Sequence, residues 1–276
     1  MDDQTLKYVD TVDWLYQLQF VGIKMGLDNI RSLTGRWGEP QREYPVIHIA
    51  GTNGKGSTAC FLAAALQAAG YRTGLYTSPH LIDFSERIRV DGQPIPAETV
   101  VAYTARMRAD IAQLNATFFE ATTLMAFAYF ADMQVDVAVI ETGLGGRLDA
   151  TNVVQPVVSV ITSLSIEHRE FLGETIEDIA REKGGIIKDG IPVVTAVRDS
   201  RAYAVLERIA RERSAPLLLS VTLPGDVAYD DLDAMRCRIS GFAEPVTLQL
   251  IGAHQQENAQ LAVDVARHLR DHGFPR

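Results

Sequence analysis

The sequence predicts an α/β fold, a mostly parallel sheet flanked by helices, with a small antiparallel addition. Three observations carry this. Short Val- and Ile-rich segments, apolar on both faces, alternate with longer helix-forming runs. One such segment, Tyr44 to Ala50, runs into a Gly-rich turn that opens directly onto a helical run. Near the end, Met235–Ser240 and Val246–Ile251 read as an antiparallel pair. Alternation of this kind places parallel strands side by side with helices on both faces.

The strands expected in order are Val46–Ala50, Thr73–Thr77, Val135–Glu141, Val157–Thr162, Pro192–Ala196 and Pro216–Ser220, all read as buried. The helices are Ser57–Ala69, Ala97–Leu114, Glu120–Met133, Thr175–Lys183 and Arg201–Arg213, closing with Gln255–Asp271. Gly70 suits a helix C-terminus, Pro96 a first helical turn, and Ser200 an N-cap. Ile88–Ile95 reads as a hairpin turning at Asp91-Gly92, a pair that accepts positive φ.

The 276 residues can bury a substantial core as one large domain or two small ones. A net charge of −9 argues against nucleic acid or an acidic membrane as partner, while leaving room for a local basic pocket. Cys60 and Cys237 have no metal-like spacing and read as free thiols. The acidic start Met1-Asp2-Asp3-Gln4 is no secretory signal, and the longest apolar runs, Phe61–Ala69 and Leu124–Ala131, are too short to span a bilayer. A cytoplasmic monomer is the default expectation.

The turn itself, His48-Ile49-Ala50-Gly51-Thr52-Asn53-Gly54-Lys55-Gly56-Ser57-Thr58, is the most informative segment. Glycines let backbone N–H groups approach phosphate oxygens, Lys55 supplies positive charge, and Ser57 or Thr58 offers a hydroxyl to Mg²⁺. The usual phosphate-loop spacing asks for a glycine where Ile49 stands, and Gly56 is an insertion between the lysine and the hydroxyl. The alternative is a plain strand-to-helix turn with a solvated lysine.

Ligands in open α/β sheets bind at the carboxyl ends of strands. Three further strand ends here carry useful groups: Tyr76-Thr77-Ser78-Pro79-His80, Glu141 through Asn152, and Thr162 through His168. Glu141 ends an apolar strand and suits a Mg²⁺ ligand, or else a salt-bridged strand-end acid. His168 reads about equally as a metal ligand or a surface histidine. Ser78 is a metal ligand only with Glu141 and His168 beside it, and otherwise a cap. For Lys183 the spacing leaves three roles open: a solvated helix-face lysine, a phosphate neutraliser, or a lysine carbamylated by CO₂.

Taken together, Gly51–Thr58, Tyr76–Leu81, Glu86-Arg87-Ile88, Glu141–Asn152, Arg181-Glu182-Lys183 and His254–Ala259 resemble folylpolyglutamate synthase and dihydrofolate synthase, members of the Mur ligase superfamily. The resemblance begins at Phe20–Leu27 and covers nearly the whole chain. It implies ATP and Mg²⁺ as cofactors, and dihydropteroate or a reduced folate with L-glutamate as substrates. The implied reaction is amide formation through an acyl phosphate. It further implies that Thr52, Asn53, Gly54, Lys55, Gly56, Ser57 and Thr58 hold the nucleotide, with Asn258 at the adenine. Ser57, Ser78, Glu141 and His168 would lie at metal; Lys55, His168 and Lys183 would serve catalysis, Lys183 as a carbamate. Thr117, Phe119, Leu148, Asp149 and Ala150 match positions near the pterin. Two residues depart from the pattern: Glu167 stands where aspartate is common, and Gly184 where alanine is usual.

By the same resemblance, residues 1–276 would form one ATP-binding Mur ligase domain, with the glutamate-binding Rossmann-like domain absent. The expectation is weak ATP binding and poor ligation by this polypeptide alone. Two other readings compete: another Mur-type amide ligase acting on a peptidoglycan precursor, and a nucleotide-binding module without turnover.

Overall fold

The computed structural model describes residues 3–22, 24–222, 227–230 and 234–274; Ile23 of the Phe20–Leu27 segment lies outside them, as does the final Pro275-Arg276. Two helices, α1 (Asp3–Gln17) and α2 (Asp28–Arg36), precede β1 (Val46–Ala50) and α3 (Lys55–Ala68). Then come β2 (Thr73–Tyr76), the hairpin β3 (Ile88–Val90) and β4 (Gln93–Pro94), α4 (Ala97–Leu114), α5 (Phe118–Asp132) and β5 (Val137–Glu141). β6 (Val158–Ile161), α6 (Arg169–Leu172), α7 (Ile176–Lys183), β7 (Val193–Thr195), α8 (Ser200–Glu212) and β8 (Leu217–Leu219) follow. The chain closes on β9 (Ala228–Asp230), β10 (Ala234–Cys237), β11 (Val246–Leu248) and α9 (His254–Asp271).

The main sheet has eight strands in the order β4-β3-β2-β5-β1-β6-β7-β8. Strands β2, β5, β1, β6, β7 and β8 run parallel, and the β3–β4 hairpin adds antiparallel at one edge. Strands β9, β10 and β11 form a separate antiparallel sheet. The mostly parallel architecture and the antiparallel addition are therefore as the sequence predicts.

Period-two alternation sorts the strand side chains onto two faces. Ile47 and Ile49 of β1, Val137 and Val139 of β5, and Val158 and Val160 of β6 pack with Leu62 and Leu66 of α3 and Leu261 and Val265 of α9. Val46, Ala138 and Ile140 turn the other way, into a core built largely from α5. That helix is buried nearly all round, with Leu124, Met125, Phe127 and Phe130 fully enclosed, as an apolar sequence without an amphipathic stripe requires.

Several boundaries differ from expectation. Helix α3 starts at Lys55 rather than Ser57, because Gly54 adopts a left-handed φ of 84° and ends the loop there. Asp199, not Ser200, caps α8, its carboxylate accepting from the N–H groups of Arg201 and Ala202. Pro96 is itself the N-cap of α4, and Gly70 lies just past the Ala69 C-cap of α3. Strand β8 is the sheet edge, so Leu218 and Leu219 are exposed where a buried strand was expected. Asp91 and Gly92 both take positive φ, as the Asp-Gly hairpin signal demands. Among the described residues no helix is long and apolar enough to cross a membrane.

Helix α5 starts two residues before the expected Glu120. Thr117 is its N-cap: its hydroxyl accepts from the Glu120 N–H, and the Glu120 carboxylate accepts in return from the Thr117 N–H. Thr117→Ala is expected to lower stability by about 1 kcal/mol through loss of this cap. A shifted urea midpoint at unchanged slope would measure it, and an unmoved midpoint would show that Glu120 holds the turn alone.

Candidate functional site

The carboxyl ends of β2, β5, β1 and β6 are neighbours in the sheet, so the four strand ends singled out in the sequence share one edge. The Gly-rich loop lies over the centre of that edge. Gly51 has a φ of 154°, and a Cβ there would sit 1.8 Å from Thr162 Oγ1, so only glycine lets the loop approach β6. Thr52 N–H donates to the Ser163 carbonyl at 2.8 Å, and Thr162 Oγ1 donates to the Asn53 carbonyl at 2.8 Å. These bonds tie the loop to the next strand end and set the first turn of α3, whose N–H groups lack intrahelical acceptors. Lys55 Nζ donates to the Thr52 carbonyl at 3.1 Å. Ser57 is half-buried, whereas Thr58 is fully buried with its hydroxyl unpartnered among the described residues. The Asn258 amide packs directly on the loop, its Oδ1 only 2.2 Å from where a Cβ on Gly54 would lie.

Glu141, at the end of β5, is 3% exposed. Its Oε2 accepts the Ser78 backbone N–H at 3.1 Å and lies 3.5 Å from the Cβ position of Gly56 in the first turn of α3. Ser78 therefore holds Glu141 through its backbone and is not a helix cap. Burial pushes the Glu141 carboxyl up to about 7, against the pull of the Lys55 charge and the Ser78 N–H. A buried carboxylate beside the first turn of α3 is the kind of oxygen ligand a hard cation takes.

Lys183, at the end of α7, is 2% exposed. Its Nζ donates to the Gly51 carbonyl at 2.7 Å and to Glu167 Oε1 at 2.8 Å. Burial lowers the affinity of this amine for its proton, with Glu167 opposing. Burial acts on the Glu167 carboxyl too, yet the Lys183 hydrogen bond holds it below the usual range. Lys183 thus reaches the underside of the Gly-rich loop and is no solvated helix-face lysine. His168 is the least integrated of the expected residues. It is exposed at the head of α6 in a left-handed conformation, φ 44°, and no hydrogen bond joins its ring to Glu141 or Ser78 among the described residues. Nor do three or more His, Cys, Asp or Glu side chains there form a metal-binding group.

Beside this edge opens a cavity of about 470 Å³ lined by all five residues matched to the pterin: Thr117, Phe119, Leu148, Asp149 and Ala150. Ser78 and Pro79 form part of the same wall. Phe119 stands between Tyr76, ring centroids 6.1 Å apart, and Gly143, where a Cβ would meet its ring at 2.5 Å. Asp149 is buried, its Oδ2 accepting from the Leu144 N–H at 2.8 Å, and burial raises its carboxyl above the ordinary range. The structure adds Arg87 to this lining. It is 7% exposed, donates through Nε to His80 Nδ1 at 2.7 Å, and lies 5.1 Å over the Phe118 ring. Its trace in the sequence was its place in the Glu86-Arg87-Ile88 motif, just before β3.

The profile of the Mur ligase middle domain matches residues 49–266, from within β1 to well into α9. The chain belongs to the Mur ligase family. Within it, the chain is 40% identical over 278 residues to dihydrofolate synthase/folylpolyglutamate synthase of Bacillus subtilis, covering 95% of this chain and 64% of that protein. It thus spans somewhat under two thirds of that curated relative. Mycobacterium tuberculosis folylpolyglutamate synthase in complex with ADP superposes on this Mur ligase chain with a TM-score of 0.88 at 35% identity, over 98% of this chain and 63% of that one. A complex of folylpolyglutamate synthase with AMPPCP and folate gives 0.87 at 37% identity, over 97% and 68%. The resemblance drawn from the motifs is thereby borne out.

Proposed function

We propose that this Mur ligase chain carries the nucleotide and pterin part of an ATP-dependent ligase joining L-glutamate to the carboxylate of dihydropteroate or a reduced folate. One observation supports this above the others. Ser78 belongs to two places at once, lining the cavity and holding Glu141 against the first turn of the phosphate loop helix. A triphosphate on the loop and an organic acid in the cavity would meet at that shared wall. The related complexes hold ADP in one case and AMPPCP with folate in the other, the two classes of ligand this reading requires.

In this reading the N–H groups of Gly54 to Ser57 and the Lys55 ammonium hold the phosphates, the Thr58 N–H being taken by the Gly54 carbonyl, with Asn258 toward the adenine. The substrate carboxylate attacks the γ-phosphorus, ADP leaves, and an acyl phosphate forms. The amine of glutamate then adds to the acyl carbon and expels phosphate. Phosphorylation supplies the leaving group that a free carboxylate lacks, and the loop N–H groups and Lys55 stabilise charge on the transferring phosphoryl group. Oxygen ligands from Ser57, Ser78 and Glu141, with His168 closing the set on rearrangement of its loop, would hold Mg²⁺, which shields the approach of two anions. Lys183 would take up CO₂ as its neutral amine, losing a proton to become a carbamate anion; burial favours the neutral form. Phe119 offers a face to a flat pterin ring.

The test incubates the chain with MgATP, L-glutamate and either dihydropteroate or a reduced folate, and measures amide product and ADP. Slow ADP release that requires the pterin acid, with little or no amide product, is the expected result. Nucleotide binding that ignores both acids would overturn the reading and favour a binding module without turnover.

A further inference from the structure

His48 is a polar residue where the fold has no need of one. It lies in the middle of β1, the strand paired on both sides by β5 and β6, opposite Ile140 and Ser159. It is fully buried, and its neighbours in the strand are Ile47 and Ile49. Burial, with the charge of Lys188 adding to it, pushes the imidazole down to about 3, so the ring is neutral at working pH. Its Nδ1 has no hydrogen-bond partner among the described residues. An unpartnered buried acceptor costs stability that an isoleucine there would not.

The other ring nitrogen has a defined task. Nε2 lies 2.8 Å from Thr151 Oγ1, which is itself completely buried. Thr151 spends its one hydroxyl proton on Asp149 Oδ1, and its backbone N–H donates to the same oxygen at 3.0 Å. Toward His48 the threonine oxygen is therefore left only as an acceptor, and Nε2 carries the ring proton. The direction of the relay is fixed: His48 Nε2–H to Thr151 Oγ, Thr151 Oγ–H to Asp149 Oδ1. It ends at a cavity-lining carboxylate.

We propose that His48 and Thr151 are positioning residues for Asp149, holding its carboxylate so that the cavity presents a fixed acceptor to the N–H donors of a flat amino-heterocycle. Thr151 occupies Oδ1 twice, so ligand donors are directed to Oδ2, which the Leu144 N–H steadies at 2.8 Å. The strand position of His48 makes the anchor rigid, since β1 is hydrogen-bonded on both edges. The same strand continues into the phosphate loop. One strand thus sets both the nucleotide loop and, through the relay, the acceptor for the second substrate. This inference rests on the pterin-acid reading of the cavity.

The test is equilibrium binding to the full chain of two probes, dihydropteroate and AMPPCP, for two pairs of variants and one reference. His48→Leu and Thr151→Val remove the relay; His48→Gln and Thr151→Ser keep a donor and a hydroxyl. Loss of a hydrogen bond that orients a charged acceptor is worth about tenfold in affinity. Dihydropteroate binding is expected to weaken by about that factor in His48→Leu and Thr151→Val and to return to within about twofold in the conservative partners. AMPPCP binding should not move. Because the two residues act in series, the double variant should bind dihydropteroate no worse than the weaker single one. Unchanged dihydropteroate affinity, an equal loss for both probes, or an additive double variant would each overturn the proposal. If His48→Leu does not fold, Thr151→Val and Thr151→Ser decide it. Asp149→Ala is the reference. If it binds dihydropteroate like the unmodified chain, the cavity reading falls and the relay with it. If Asp149→Ala loses binding while Thr151→Val keeps it, the cavity reading stands and the relay alone is wrong.

Discussion

Lys55→Ala should weaken triphosphate binding by roughly 10- to 100-fold, the value of one or two lost hydrogen bonds to a charged partner. Any turnover should fall further, by about two to three powers of ten, because the same ammonium faces charge that grows on the transferring phosphoryl group. The fold should survive. Lys55 is half-buried, and among the described residues its one hydrogen bond goes to a carbonyl of its own loop. Its charge also repels Lys183 and favours the ionised forms of Glu141 and Glu167. Removing it relieves one repulsion and forfeits two attractions, and it raises the Glu141 carboxyl further still. Calorimetric titration with AMPPCP, beside a thermal melt, separates the two effects. Lys55→Arg should not restore binding, because a planar guanidinium does not fit a cradle shaped for a compact ammonium. Affinity unchanged in Lys55→Ala would mean that the loop does not hold phosphate.

How far the sequence could be read depended on where its information lay. The parallel core was legible because buried strands leave short Val- and Ile-rich runs, and the loop because its glycines answer a local backbone need. Both are properties of contiguous residues. Helices α1 and α2 were passed over: Asp3–Gln17 and Asp28–Arg36 carry many polar residues, and the fully buried Leu15, Ile30 and Leu33 are too sparse to announce a core face. Strand β8 was expected to be buried because three leucines look alike at a sheet centre and at its edge. Site residues followed the same rule. Glu141 and Lys183 were placed by the elements they terminate. The Phe119, Leu148 and Asp149 set rested on resemblance, and the cavity brings it together across two distant segments. Arg87 stood in a quoted motif without a role, and its role, like the Glu167–Lys183 pair, depends on packing between segments, which no local pattern reports. His48 left a trace, a histidine inside an apolar strand, whose meaning appears only once Thr151 lies opposite.

Glu141→Gln should separate stability from function. The Glu141 carboxyl has an ordinary value of 4.5 and rises to about 7 in the folded chain. A raised carboxyl favours folding most while it stays protonated, so its contribution is fully present below about 4.5 and is lost as pH climbs through about 7. Over that window the ionised form costs the folded state about 3 kcal/mol. Glutamine keeps an acceptor for the Ser78 N–H and has no charge to bury. The stability of Glu141→Gln relative to the unmodified chain should therefore be near zero at pH 4.5 and grow by about 3 kcal/mol at pH 8. Paired urea titrations across that range measure the difference directly, and groups common to both proteins cancel. Adding MgATP should narrow the difference, because the loop and Lys55 hold the nucleotide in both proteins but only the unmodified chain has a carboxylate for its cation. Turnover in the variant should drop by about two powers of ten or more. A pH-independent difference would show that Glu141 is already satisfied by Lys55 and the Ser78 N–H. Equal stabilisation of both proteins by MgATP would show that the nucleotide's cation is held without this residue.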